Sequence, residues 1–151
     1  SALRLVNSSL LLKSRDESLA TLDIVKIDLY TGKAVFYKAG AAPSVIRRQN
    51  GKLLEIKKAA LPAGILRDAT FSSCEGQLEN GDTVIIARDG AYEYAHNAVK
   101  EELQSGGAKR ASTKAKNISL RAKKAKGKAR CDDITVIALN ISGRARREQK
   151  I

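Results

Sequence analysis

A chain of 151 residues, 43% of them hydrophobic, is long enough for one domain with its own core. No apolar run reaches the length of a membrane-crossing helix, and no signal-peptide pattern opens the sequence. The formal net charge of +12 suits acidic or phosphate-bearing partners and says nothing about fold.

In chain order, Leu3, Val6, Leu10 and Leu11 recur at helical spacing, so residues 2–14 are predicted to form an amphipathic helix. A polar loop follows from Lys13 to Ser18. Thr21–Tyr30 reads as a strand whose apolar face switches partway, with Leu22 and Ile24 on one side and Val25, Ile27 and Leu29 on the other. Tyr30-Thr31-Gly32-Lys33 turns the chain into a return strand over residues 34–39, which Gly40-Ala41-Ala42-Pro43 breaks. Gln49-Asn50-Gly51 joins a second hairpin built from residues 44–48 and 52–57. Beyond an apolar-anchored loop at Leu61–Leu66, Phe71–Leu78 reads as a strand. Thr83–Ala87 is a continuous apolar run and hence a central strand. Ala95–Gln104 and Ala108–Lys126 are predicted helices, and Ile134–Ile141 is the last strand. This order predicts an α+β fold of antiparallel sheets packed on helices, not an alternating parallel one.

From Lys109 to Arg130 there are ten Lys or Arg and no acid, and residues 142–151 form a basic tail. Cys74 and Cys131 fit neither a zinc spacing nor a disulfide framework, and suit a reducing compartment. His96 is the single histidine, which excludes a His-rich metal site and weakens any Ser/His/Asp triad.

Two acidic stretches carry the chemistry. Ala87-Arg88-Asp89-Gly90 closes one apolar run, and Cys131-Asp132-Asp133-Ile134-Thr135 opens another. If those strands are antiparallel neighbours, the carboxylates of Asp89 and Asp132 crowd one rim of the sheet. Like charges there need a cation or a proton, and hard divalent ions such as Mg²⁺ or Mn²⁺ take oxygen ligands. Gly90 would leave room beside the carboxylate, and Asp133 would support it. Asp-Gly turns and strand-end aspartates are common without any metal, and on residue chemistry alone that is the simpler account.

A wider set of motifs shifts the balance: Ser18–Asp23, Ile27–Gly32, Lys38-Ala39-Gly40-Ala41-Ala42-Pro43-Ser44, Leu61-Pro62-Ala63-Gly64-Ile65-Leu66 and Asn80-Gly81-Asp82-Thr83, with Asp89-Gly90 and Asp132–Val136. In this order and spacing the chain resembles the metal-dependent (PPM-type) serine/threonine protein phosphatases, in the bacterial branch typified by stage II sporulation protein E. The resemblance implies a sandwich of antiparallel sheets flanked by helices, with a metal cluster at one edge. It implies hydrolysis of phosphoserine or phosphothreonine by metal-activated water. Asp89 and Asp132 would be the catalytic metal ligands for Mn²⁺ or Mg²⁺ in a two-metal site, with Gly90 and Asp133 beside them. The partner implied is a phosphorylated anti-sigma-factor antagonist. The expected location is cytoplasmic, with membrane attachment of a parent protein left open.

Three departures qualify the resemblance. The family's upstream Asp-Gly motif has no counterpart before Leu22, so residues 1–151 are expected to be the C-terminal portion of one phosphatase domain, inactive or nearly so alone, with its metal site weak or empty. Arg88 stands where the family usually has Ser or Thr, and it would repel a metal, point away, or contact substrate phosphate. The basic segment 109–130 is unusual for the family; a solvated helix face is the preferred reading, since base stacking lacks aromatic residues there. Two other readings stay open: a non-catalytic phosphatase-like interaction module, and a basic nucleic-acid-binding domain. Exposed sheet surface around Val25 and Ile27 is expected to favour self-association.

Overall fold

The structure, a computed structural model, describes residues 2–13, 20–65, 71–105, 110–126 and 134–143. Helix α1 (Ala2–Lys13) is followed by a hairpin of β1 (Leu22–Ile27) and β2 (Lys33–Ala39). β3 (Ser44–Arg47) and β4 (Leu53–Ile56) form a second hairpin, and β5 (Ser72–Gln77) and β6 (Thr83–Ala87) come next. Helices α2 (Asp89–Gln104) and α3 (Ala111–Lys126) precede β7 (Val136–Asn140). The strands form two antiparallel sheets, one ordered β1-β2-β5 and one ordered β4-β3-β6-β7. The predicted α+β class, with antiparallel sheets and flanking helices, is the one observed.

Strand alternation assigns the layers. Val84 and Ile86 of β6 join Ala34 and Phe36 of β2 and Ile46 of β3 in a core between the two sheets. Ile85, on the other face of β6, joins Val45, Val99, Leu103 and Ile118 in a second core between the four-stranded sheet and the helices. β6 is thus buried on both faces along its whole length, which is why its sequence is unbroken apolar. On α3, Lys114, Ile118 and Ala122 recur every four residues and are the buried face. Ile118 and Ala122 pack inward, while the ammonium of Lys114 donates to Thr83 Oγ1 at 2.9 Å. No helix among the described residues is long and apolar enough to cross a membrane.

Three details differ from the sequence reading. β1 ends at Ile27, not Tyr30, and Leu29 and Tyr30 are exposed in the turn. Asp28 stops the strand: its Oδ1 accepts the N–H groups of Tyr30 at 2.8 Å and Thr31 at 3.1 Å, an Asx-type closure that Gly32 completes at φ +73°. Val25 and Ile27 do not face solvent, because the alternation turns them toward the inter-sheet core, and Ile24 faces outward instead. Finally, α2 begins at Asp89, six residues before the predicted Ala95, so Asp89 and Gly90 lie in a helix's first turn rather than in a loop.

Two surface carboxylates give the fold an acid limb. The backbone bonds from Tyr30 and Thr31 hold the Asp28 carboxyl below its ordinary value. Glu55 of β4 is lowered in the same direction, first by its bond to Lys100 of α2 at 3.0 Å. A group with a depressed folded-state pKa contributes its stabilisation above the unfolded-state value and loses it as pH falls through the folded-state value. Urea midpoints are therefore expected to be flat from pH 7 to 5 and to drop below pH 4.5, by about the ordinary carboxylate range. Glu55→Gln should remove part of that drop and leave the neutral-pH plateau nearly unchanged.

Candidate functional site

The rim predicted from sequence is present in the backbone. β6 and β7 are antiparallel neighbours with Ala87 paired to Val136, and the Arg88 N–H donates to the Thr135 carbonyl at 3.0 Å. The exit of β6 and the entry to β7 therefore share one edge. Asp89 follows directly as the first residue of α2, with Arg88 as its extended N-cap at φ −68° and ψ 156°. The side chains of residues 89–95 lie outside the described residues, as do Asp132 and Asp133 altogether. Asp89 and Gly90 are thus located by backbone alone.

A cleft of about 530 Å³ opens at this rim. One wall comes from the three-stranded sheet, with Ala20, Thr21 and Asp23. The other comes from the four-stranded sheet, with Ile86 and Ala87 of β6, Arg88 just after it, Thr135 just before β7, and Ile137 of β7. Ala41 and Ala42, between β2 and β3, close one end. The cleft lies where the edges of the two layers meet, and the exposed Arg88 puts a cation on its margin.

A buried ionic bridge ties this wall together, and sequence reasoning missed it. Lys38 of β2 has a fully buried side chain, and its cross-strand partner is Asp23 of β1. The Lys38 ammonium pairs with Asp23 Oδ2 and donates to the Ala42 carbonyl at 2.8 Å and to Ser44 Oγ at 2.6 Å. The Ser44 hydroxyl in turn donates to Asp23 Oδ2 at 3.0 Å. One cation thus joins the first strand of one sheet, the first strand of the other, and the loop that lines the cleft. The available signal was positional: Lys38 occupies the inward register of Ala34 and Phe36, where a lysine needs an acid within reach.

Asp23 Oδ1 is buried with no hydrogen-bond partner among the described residues, and Asp23 lines the cleft. An orphaned carboxylate oxygen beside a rim that carries Asp89 is a hard, oxygen-rich environment of the kind a divalent cation accepts. Among the described residues, no three His, Cys, Asp or Glu side chains gather as a metal cluster.

Gly40 seats the end of the cleft. It adopts φ +62°, and its N–H donates to the Ala60 carbonyl at 2.9 Å. A Cβ there would stand 2.6 Å from Pro62 Cγ and 2.9 Å from the Pro62 nitrogen. The neighbouring Ala63 exchanges two backbone bonds with Ala20, at 2.8 and 3.0 Å, and Gly64 donates to the buried Asn7 of α1 at 2.9 Å. Gly40→Ala combines left-handed strain with a clash against proline, and is expected to cost about 2–4 kcal/mol in chemical denaturation. A loss under about 0.5 kcal/mol would mean that this loop is not held against Pro62.

Comparison with known proteins follows the same outline. The family model described as stage II sporulation protein E (SpoIIE) matches residues 1–142. The stage II sporulation protein E of Bacillus subtilis (strain 168) is 35% identical over 92 residues, a stretch that spans 61% of this chain and 11% of that protein. Among solved structures, the phosphatase domain of the cell fate determinant SpoIIE from Bacillus subtilis, presoaked with Mn, superposes at a TM-score of 0.71 with 26% identity, covering 99% of this chain and 68% of that one. The PPM Ser-Thr phosphatase MsPP of Mycobacterium smegmatis superposes at 0.74 with 17% identity, covering 93% of this chain and 72% of that one, which speaks for the fold. The architecture is that of PPM phosphatases, and the chain belongs to the stage II sporulation protein E family.

Proposed function

We propose that this chain is the C-terminal portion of a divalent-metal-dependent protein serine/threonine phosphatase domain. The observation that carries the reading is the Arg88–Thr135 backbone bond, which joins the exit of β6 to the entry of β7 beside a cleft, with Asp89 next in the chain. Asp89 and Asp132 would hold the metal, with Asp133 and Gly90 beside them. Mn²⁺ or Mg²⁺ bound there would supply charge neutralisation for a phosphoryl group and activation of water. The chain's own residues do the rest. The first turn of α2 starts at the rim, and its unpaired N–H groups and dipole favour an anionic phosphoryl group. Arg88 adds a fixed positive charge on the cleft margin. The substrate class proposed is a phosphoserine on a regulatory protein, an anti-sigma-factor antagonist. The membership supporting this is that of the SpoIIE family.

The test is turnover of p-nitrophenyl phosphate and of a phosphoserine protein with Mn²⁺, for the 151-residue chain and for the complete phosphatase domain that contains it. The complete domain is expected to turn over and to stop on chelation. The chain alone, which spans 68% of the SpoIIE phosphatase-domain chain it matches, is expected to be inactive or nearly so. Chelator-insensitive turnover, or none in the complete domain, defeats the reading.

Arg88 also favours a second reading, a phosphatase-like module that has lost catalysis. A guanidinium one residue from a metal ligand opposes cation binding. Arg88→Ser is expected to tighten Mn²⁺ binding by about fivefold in calorimetric titration, the scale of one partly screened charge. Unchanged affinity would show that Arg88 does not repel the ion, leaving it to point away or to contact the anion, and would count against the second reading.

A further inference from the structure

The basic helix α3 presents more than a solvated face. With Lys114, Ile118 and Ala122 turned into the protein, Lys116, Leu120, Lys123 and Lys124 fall on the opposite side, within about 100° of helical arc. All four are exposed, Leu120 by 47%. The three lysines carry no ion pair among the described residues, whereas Arg121 is tied to Glu101 of α2 at 3.0 Å. The result is a cationic stripe about 12 Å long with a leucine in its middle. Behind it, α3 packs on α2 and β7. Ala122 also sits against Ala87 and Val136, the strand ends at the cleft rim.

We infer that this stripe is a docking surface for an acidic segment of a partner protein that carries an apolar side chain among its carboxylates. Charge complementarity selects an acidic partner, since the chain carries +12 and this stripe has no acid of its own. Leucine at its centre separates the protein partner from the alternatives. A nucleic-acid backbone offers phosphates and no apolar counterpart at that point. A membrane surface would draw on a broad apolar helix face, and the apolar face of α3 is already spent on the core. One apolar contact ringed by charge pairs is the anatomy of a small protein–protein interface. Docking of this kind does not depend on catalysis in the cleft.

The test uses the 151-residue chain and fluorescein-labelled 12-residue peptides: one rich in Asp and Glu with a central Leu, and the same peptide with Ser in place of Leu. Binding is read by anisotropy at 50 and 150 mM salt. The Leu peptide is expected to bind about fivefold more tightly than the Ser peptide, and Leu120→Ser should erase that difference, a coupling that charge alone does not produce. Lys123→Glu with Lys124→Glu should weaken binding about tenfold. Lys52→Glu with Lys58→Glu, an equal charge change at exposed positions elsewhere, should weaken it less than twofold. Circular dichroism melts verify that each variant folds. The inference is overturned if the two peptides bind alike, if the remote pair weakens binding as much as the α3 pair, or if a DNA duplex or phosphatidylserine vesicles bind more tightly than the Leu peptide with Leu120→Ser unaffected.

Discussion

Replacing Lys38 by methionine is expected to cost the folded state about 3–5 kcal/mol, the typical effect of removing one partner from a buried ion pair. The side chain is fully buried, and its loss leaves the Asp23 carboxylate, itself only 11% exposed, without its cation. The Ala42 carbonyl and Ser44 hydroxyl lose a donor at the same step. The net worth of the intact pair is far smaller than that figure, because both charges were desolvated to make it. A double variant, Lys38→Met with Asp23→Leu, should therefore recover much of the loss in urea denaturation. If Lys38→Met alone cost under about 1 kcal/mol, the bridge would have to be solvated and would not be what joins the sheets. The cleft gives a second readout. Ala41 and Ala42 line it, and Ala42 is held by the lysine, so amide exchange of Gly40, Ala41, Ala42 and Ser44 should speed up well beyond the change in global stability.

The contrast between β6 and this bridge explains what the sequence could say. Thr83–Ala87 announced a central strand because both of its faces are buried, which removes every polar position from the run. Asn50-Gly51 announced a hairpin because its chemistry is local. Two apolar runs with acids at opposite ends make a rim only if the strands are antiparallel neighbours, a condition the sequence left open and β6 and β7 meet. Lys38 and Asp23, by contrast, are fifteen residues apart and meet only through strand register. A single-strand pattern holds no information on the residue across the ladder. The early start of α2 was hidden for another reason. Asp89-Gly90-Ala91-Tyr92-Glu93-Tyr94 has a weak helix former and no apolar repeat, and the helix begins there because β6 delivers the chain directly into it. The apolar switch in β1 was resolved by tertiary contact, with Val25 and Ile27 inside and Ile24 outside. The carboxylates of Asp89 and Asp132 remain the part of the site that rests on motif and family.

Asp89→Asn in the complete phosphatase domain is expected to lower Mn²⁺-dependent turnover by about 10²–10³-fold, the scale on which losing one preorganised charge at a reacting centre is felt. Asp132→Asn should fall in the same range. The position of Asp89 supplies a way to separate a ligand from a structural aspartate. Asp89 is the first residue of α2, and an acid at a helix's first position is favoured by the dipole by about 0.3–1 kcal/mol, which asparagine gives up. A purely structural aspartate would therefore show that modest destabilisation and near-normal turnover. A metal ligand would show the same modest destabilisation without metal, a large loss of turnover, and a loss of the stabilisation that saturating Mn²⁺ confers on the parent, since an ion bound only to the folded state raises stability with its concentration over Kd. The two outcomes differ in which quantity moves. If Mn²⁺ raised the melting temperature of Asp89→Asn and of the parent equally, Asp89 would not be a ligand, whatever happened to the rate.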